Sequence, residues 1–340
     1  MDDDEYQAID SHRSKEGNLP KGSTIVALFK KGDDLRKDQI VLQCFQVLDQ
    51  LLLEESLNLL ITAYKVLATG FKFGYLEFVS ESKDLVVIHN EYSKFWDPLF
   101  SNSIINNFTA LIKENAQDNE EDISNKFVSM TRSRIFKDSN KDSKDQDDSF
   151  KDAWDRYIDH FTRSMAGSII SSYILDLGDR HSGNLLVQQT TAKIFHIDFG
   201  HILGHKKSKF GFKREVEPFI YLKEMHNAIK FDPKKKKVIK SYNVNYFKLQ
   251  NYCGEGLVVA RKHFVVFENL LLLMIPAKID ELDEDSISKT MENFMLDKPN
   301  FIAKLEMTKK LDQAFRVKRR RYDNWFRLRC EFTKKLVAIK

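Results

Sequence analysis

Three cysteines, six prolines and thirteen glycines among 340 residues leave little material for several familiar architectures. Cys44, Cys253 and Cys330 stand far apart without metal-ligand spacing, so neither a disulfide framework nor a zinc cluster organises the chain. Scarce glycine and proline exclude collagen-like and low-complexity Gly/Pro chains and favour helix. No apolar run exceeds the eight residues of 270–277, far short of the ~20 that a membrane-spanning helix requires. The opening Met-Asp-Asp-Asp-Glu reverses the basic start and apolar core of a signal peptide. The expectation is a reducing, cytoplasmic location.

What is present is enough for a core: 42% of residues are hydrophobic and 31% charged, which excludes a wholly disordered chain. The length suits one large two-lobed domain or two ordinary ones. A net charge of +4 says little, but its distribution says more. Residues 303–340 hold 13 Lys/Arg against 4 Asp/Glu, with Lys318, Arg319, Arg320 and Arg321 in a row. A solvated helix face, an anionic membrane or a nucleic acid would each suit that segment, and charge alone does not choose.

Along the chain, residues 1–22 are acidic, lack apolar periodicity and read as flexible. Residues 23–29 form a β-type run, closed by the turn Lys30-Lys31-Gly32-Asp33-Asp34. From 38 to 60, Val41, Phe45, Leu48 and Leu52 recur at helical spacing. A short strand is expected over 75–79. Residues 113–149 read as a disordered polar insert that cannot bury enough to order itself. A long helix over about 150–175 buries Trp154, Ile158, Phe161, Met165 and Ile169, followed by strands over 185–187 and 194–197. From about 223 the chain reads as mostly helical, and no internal repeat is visible.

Chemistry concentrates in Gly178-Asp179-Arg180-His181-Ser182-Gly183-Asn184 and, after a short hairpin, His196-Ile197-Asp198-Phe199-Gly200-His201. Asn184 precedes one strand and Asp198 follows the next, so the hairpin brings both to the same end. An amide oxygen and a carboxylate are the hard donors with which phosphoryl-transfer enzymes hold Mg²⁺ on a nucleotide triphosphate. Asp179 and His181 sit just before, where a group accepting a hydroxyl proton belongs. A lone Asp-Phe-Gly recurs by chance. Asp-Arg-His-x-x-Asn followed fourteen residues later by Asp-Phe-Gly-His does not.

These segments resemble the catalytic and metal-binding loops of the phosphoinositide 3-/4-kinase superfamily, closest to the class I phosphatidylinositol 3-kinases. The resemblance extends from about residue 25 to 325. It includes the Phe29–Asp38 stretch, which is similar to the strand with the ATP-contacting lysine, and Phe161-Thr162-Arg163-Ser164-Met165-Ala166-Gly167 before the catalytic loop. It implies an α+β fold, two-lobed and protein-kinase-like, with a small mixed α/β N-lobe and a larger, mainly helical C-lobe. Residues 23–79 would form a partial N-lobe and hinge, and 80–340 the C-lobe. Within the latter lie the catalytic loop (178–184), the metal motif and activation loop (198–219) and the basic helical region (303–340). The phosphate-covering loop that the family places before its lysine strand has no counterpart in 1–22.

The resemblance also implies roles. Lys30 would meet the α- and β-phosphates of ATP; Asp38 and Phe73 would border the inner nucleotide pocket, with Leu186 and Ile197. Backbone groups of Glu77 and Val79 would bond the adenine. Asn184 and Asp198 would hold Mg²⁺. Asp179 and Arg180 belong to the catalytic loop, and His181 is the first candidate to take the proton from the inositol hydroxyl, with His201 near the transferring phosphate as helper or rival. Ser182 and Gly183 depart from the usual Asn-Ser of the class. Lys206, Lys207, Lys213 and Arg214, from the basic stretch 205–214, would face the headgroup phosphates. The implied activity is 3-phosphorylation of phosphatidylinositol 4,5-bisphosphate at an anionic membrane. A regulatory or adaptor subunit is the implied partner, and nucleic acid is not. A nucleotide-binding module with little turnover and a protein kinase of the same superfamily are the competing readings.

Overall fold

A computed structural model describes residues 7–9, 26–92, 102–128, 142–205, 208–209, 212–213, 219–241 and 243–316. Strand β1 (Gln7–Ile9) pairs antiparallel with β2 (Ala27–Lys31), and helix α1 (Leu35–Glu54) follows. The turn between them passes through Gly32 at φ +112°, a conformation that glycine adopts without a Cβ clash. Asp34 caps the helix: its carboxylate accepts the Arg36 N–H at 3.2 Å. β3 (Val66–Gly70) and β4 (Phe73–Glu77) complete an antiparallel sheet of order β1-β2-β4-β3. Residues alternate across a strand. The buried face of β4 therefore carries Gly74 and Leu76, while Phe73, Tyr75 and Glu77 are exposed. A Cβ on Gly74 would come within 2.2 Å of the Leu67 carbonyl and 2.9 Å of Leu35, so glycine lets α1 approach the sheet.

β5 (Ser82–Asp84), α2 (Leu85–Tyr92), α3 (Ser103–Val128) and α4 (Asp142–Ile174) come next. A 3₁₀ turn (Ser182–Asn184) then leads into the hairpin β6 (Leu185–Gln188) and β7 (Ile194–His196), which joins β5 in a second antiparallel sheet. β8 (Ser208–Lys209) and β9 (Phe212–Lys213) form a small hairpin. The remainder is α5 (Lys223–Ile229), the hairpin β10 (Phe231–Asp232) and β11 (Lys237–Val238), α6 (Val244–Lys262), α7 (Phe264–Leu272), α8 (Glu284–Met291) and α9 (Asn300–Arg316). Small sheets on a mainly helical body make the class α+β, as expected.

The core runs along α4, which packs against α6, which in turn packs against α9. Trp154, Ile158, Phe161, Met165 and Ile169 of α4 are all buried, as their spacing predicts. Phe108 of α3 completes an aromatic knot, edge-on to Trp154, Tyr157 and Phe161 at centroid separations of 6.3, 5.4 and 5.4 Å.

Several boundaries move. The first strand ends two residues later than the sequence pattern suggests, and the strand expected over 75–79 lies two residues earlier. Residues 7–9, inside the segment expected to be flexible, pair with β2 and satisfy the backbone groups of its edge. The expected polar insert is largely helical backbone: α3 continues to Val128 and α4 already starts at Asp142. Residues 103–149 contain neither glycine nor proline. Helix therefore propagates outward from the packed turns at little cost per residue. The basic region beyond Arg316, including Trp325, lies outside the described residues.

Phe161 is fully buried in the aromatic knot, so Phe161→Ala should destabilise the protein by about 3–5 kcal/mol through lost burial and the cavity left behind. Urea denaturation measures this; a loss below 1 kcal/mol would show that the α3–α4 seam does not carry the core.

Candidate active site

The β6–β7 hairpin does what its sequence suggests. The Ile197 N–H donates to the Asn184 carbonyl at 3.2 Å, so the residues just before β6 and just after β7 are held side by side. Asn184 Nδ2 donates to the Asp179 carbonyl at 3.1 Å, which orients the amide oxygen away from that loop. Arg180, which is buried, binds the segment from the other side. Its guanidinium donates to the carbonyls of Gly178 and Ile197, each at 2.8 Å, and to that of Asp198, and it lies over the Phe199 ring. One planar fork thus ties the catalytic-loop segment to the Asp-Phe-Gly segment. Asp179 and Asp198 hold positive φ, +54° and +60°. That conformation is disfavoured for a residue with a Cβ, and surrounding bonds sustain it.

Lys30 reaches this point from β2. Its ammonium lies 3.1 Å from Asp198 Oδ1 and 2.6 Å from Asp33 Oδ2 and is almost completely buried. Asp38 of α1, also buried, accepts the Phe199 N–H at 3.3 Å. The two carboxyls respond in opposite ways. Burial pushes Asp38 up to about 6, further raised by the charge of Asp198, with Lys30 opposing. Burial acts on Asp198 too, but the bonded Lys30 ammonium and Arg180 outweigh it and hold that carboxyl below its ordinary value.

Beside the pair opens a pocket of about 90 Å³, lined by Leu28, Tyr64, Leu76, Phe78, Val79, Leu186, Phe195 and Ile197, with Lys30, Glu77, Ser82 and Asp198 as its polar members. Such a slot suits a ligand that is flat and apolar at one end and polyanionic at the other. It unites five expected residues, Lys30, Glu77, Val79, Leu186 and Ile197, with Asp198. Phe73 does not line it. Lys30 pairs with Gly74 in the β2–β4 register, so Phe73 points to the opposite face, where its ring meets Phe29 at 6.4 Å. Asp38 stands behind the site through Phe199, away from the pocket lining. The Glu77 amide is committed to the Lys65 carbonyl at 2.8 Å.

His181 is half-buried, and its Nδ1 accepts the Gly183 N–H at 3.1 Å, capping the 3₁₀ turn. The His201 carbonyl accepts the Gly178 N–H at 3.0 Å, and its Nδ1 lies 3.4 Å from Glu281. Lys206, Lys207 and Arg214 lie outside the described residues, and for Lys213 only its backbone place in β9 is described.

Sequence reasoning missed Leu28, Tyr64, Phe195 and Glu281. Leu28 was recoverable, since it shares a strand face with Lys30 two residues on. Glu281 was not. It comes 83 residues after Asp198, in a stretch without motif or periodicity. Among the described residues, no cluster of three or more His, Cys, Asp or Glu could hold a metal by itself. A hard cation here would therefore draw on Asn184 and Asp198 and take its other oxygens from a ligand and water, as Mg²⁺ does.

Comparison with known proteins identifies the family. Residues 24–284 match the family model "Phosphatidylinositol 3- and 4-kinase". Phosphatidylinositol 3-kinase 1 of Dictyostelium discoideum is 27% identical over 303 residues, covering 89% of this chain and 16% of that protein. Phosphatidylinositol 3-kinase age-1 of Caenorhabditis elegans is 31% identical over 280 residues, 78% of this chain and 22% of the relative. The phosphatidylinositol 3-kinase C2 domain-containing subunit gamma of Rattus norvegicus is 30% identical over 264 residues, 77% and 14% of the respective lengths. The chain thus spans less than a quarter of the curated relatives it matches.

The raised Asp38 value predicts a pH signature. A carboxyl whose folded-state value lies above its unfolded value of 3.8 adds stability that is complete below pH 3.8 and lost as pH rises through about 6. The loss is about 3 kcal/mol at most. Asp38→Asn keeps an oxygen for the Phe199 N–H and removes the charge. Between pH 4.5 and 7 the variant should lose less stability than wild type, as read from urea midpoints. Identical pH dependence in both proteins would contradict it.

Proposed function

The chain belongs to the phosphatidylinositol 3- and 4-kinase family, and from that premise we propose that it transfers the γ-phosphoryl group of ATP to the inositol 3-hydroxyl of phosphatidylinositol 4,5-bisphosphate and related phosphoinositides at an anionic membrane. The observation that carries this reading is the Lys30–Asp198 ion pair beside an apolar slot, with the Asn184 backbone held against Ile197 next to it. The two-lobed arrangement, with the slot between a small sheet-bearing lobe and the helical body, belongs to the same proposal.

In this reading, the apolar walls Leu28, Leu76, Val79, Leu186 and Ile197 sandwich the adenine and exclude water from it. Lys30 places its ammonium on the phosphates. That ammonium is held by two carboxylates, so it is already desolvated and aimed, which lowers the reorganisation needed when an anion arrives. Asn184 and Asp198 would hold Mg²⁺, which when bound would offset phosphate charge. The donor set fits, because both are hard oxygen ligands and Asp198 is kept ionised. Arg180 fixes the backbone on which both ligands ride. His181 and His201 flank them as the groups able to accept the hydroxyl proton.

The basic stretch 205–214 supports the choice of lipid. Its five Lys/Arg and no acidic residue match a headgroup carrying phosphates at the 4- and 5-positions. Lys206 and Lys207 would meet the 5-phosphate, and Lys213 and Arg214 the 4-phosphate. Basic residues beyond 316 would add attraction to the anionic surface, each worth about 1 kcal/mol. Among the described residues no helix is long and apolar enough to cross a membrane.

Two variants test this reading with purified protein, Mg²⁺-ATP and phosphoinositide vesicles. Asp198→Asn should reduce turnover by at least ~10³-fold, since a neutral amide replaces a preorganised charge at the reacting phosphates. Activity within a few-fold of wild type would remove Asp198 from the site. Lys206→Ala/Lys207→Ala should collapse use of phosphatidylinositol 4,5-bisphosphate while phosphorylation of plain phosphatidylinositol survives. An equal loss on both lipids, mimicked by added salt, would mean general membrane attraction instead.

A further inference from the structure

The two histidines of the site are not equivalent, and the difference lies in which ring nitrogen each commits. His181 Nδ1 accepts a hydrogen bond from the Gly183 amide at 3.1 Å. A neutral imidazole accepting at Nδ1 carries its proton on Nε2, so that edge is a donor. His201 has the opposite arrangement. Its Nδ1 lies 3.4 Å from Glu281 Oε1, and a carboxylate facing Nδ1 favours a proton there. Neutral His201 then keeps the lone pair on Nε2.

Glu281 is held firmly enough to impose this. Its second oxygen accepts the Ile202 N–H at 3.1 Å and lies 3.3 Å from the Lys37 ammonium. Lys37 also donates to the Gly200 carbonyl at 3.1 Å, so α1, the 198–202 segment and Glu281 form one network. The bonds from His201 and the Ile202 amide, with the Lys37 charge, outweigh burial and keep the Glu281 carboxyl below its ordinary value. Glu281 itself sits at φ +73°, a conformation disfavoured for glutamate. Strained backbone of this kind persists where surrounding contacts over-determine it, and such places cluster at functional sites.

We propose that Glu281 is a positioning residue that sets the His201 tautomer, so that His201 Nε2, and not His181, takes the proton from the lipid hydroxyl. This rests on the reading of the chain as a phosphoinositide kinase. In the step itself, the hydroxyl oxygen forms the new bond to the γ-phosphorus while the bond to the departing ADP oxygen breaks. The hydroxyl proton passes to His201 Nε2. Glu281, 3.4 Å from the ring's other nitrogen, stabilises the imidazolium that results, as an orienting carboxylate does in other acid–base pairs.

The test has a readout independent of turnover. In nucleotide-free, ¹⁵N-histidine-labelled protein, the His201 resonances, identified by their absence in His201→Ala, should report the Nδ1–H tautomer. Glu281→Gln keeps an oxygen for the Ile202 amide but removes the charge, and it should abolish the preference for that tautomer. Its kcat on phosphoinositide vesicles should fall by about 10- to 100-fold, with KM for ATP changed less than about threefold. On the His201→Ala background, Glu281→Gln should cause no further loss of kcat. Glu281→Asp, which restores the carboxylate, should recover part of the activity. An Nε2–H tautomer in wild type overturns the proposal whatever the activity, and so does an additive loss in the double variant. Wild type with the expected tautomer but without lipid product would instead overturn the kinase reading and, with it, the step assigned to His201.

Discussion

One buried ammonium organises the site. Lys30 and Asp198 are 168 residues apart, yet their side chains meet at 3.1 Å with Lys30 almost fully buried. An unpaired charge there would cost several kcal/mol, so sheet and hairpin must arrive together or leave the lysine stranded. The same ammonium sorts the neighbouring carboxyls. Asp198, bonded to it, stays readily ionised, whereas Asp38, buried behind Phe199 and facing the charge of Asp198, does not.

Around the ion pair, backbone geometry is held by side chains rather than by regular structure. Asp179 and Asp198 sit in left-handed conformations, and the segments carrying them are linked by Arg180 through three carbonyls. The Gly178, Leu203 and Gly204 amides donate to carbonyls of the opposite segment at 3.0, 3.1 and 2.9 Å, which closes the loops on each other. From α1, Lys37 and Asp38 bind the Asp-Phe-Gly-His stretch on its far side. Placement of Asn184 and Asp198 is therefore a property of four chain segments at once. The helical body contributes the firmness: α4 ends at the loop, and its other turns are locked into α6 and the Phe108 knot.

Much of this was legible beforehand, and for definable reasons. The helical face of α4 follows from Trp154, Ile158, Phe161, Met165 and Ile169, because a 3.6-residue period leaves few other ways to bury them. The closeness of the Asn184 and Ile197 backbones follows from two short strands with a polar turn between. Phe73 was misplaced because a two-residue alternation assigns faces only once the register is known, and here Lys30 opposes Gly74. The polar stretch around 113–149 reads as disorder by composition, yet it lacks glycine and proline, and its ends extend helices nucleated by packed neighbours.

By itself, the sequence determined the chemistry available at the site. Asp-Arg-His-x-x-Asn and Asp-Phe-Gly-His, a lysine at a strand end and the apolar periods of the helices are local facts, readable because each depends on residues a few positions apart. Only the tertiary structure decided what those groups face. It placed Phe73 outside the pocket, set Asp38 behind Phe199, and brought Glu281 against His201 across 80 residues of chain. Charge state and tautomer depend on distance through space, and a linear pattern does not encode that distance until the core has packed.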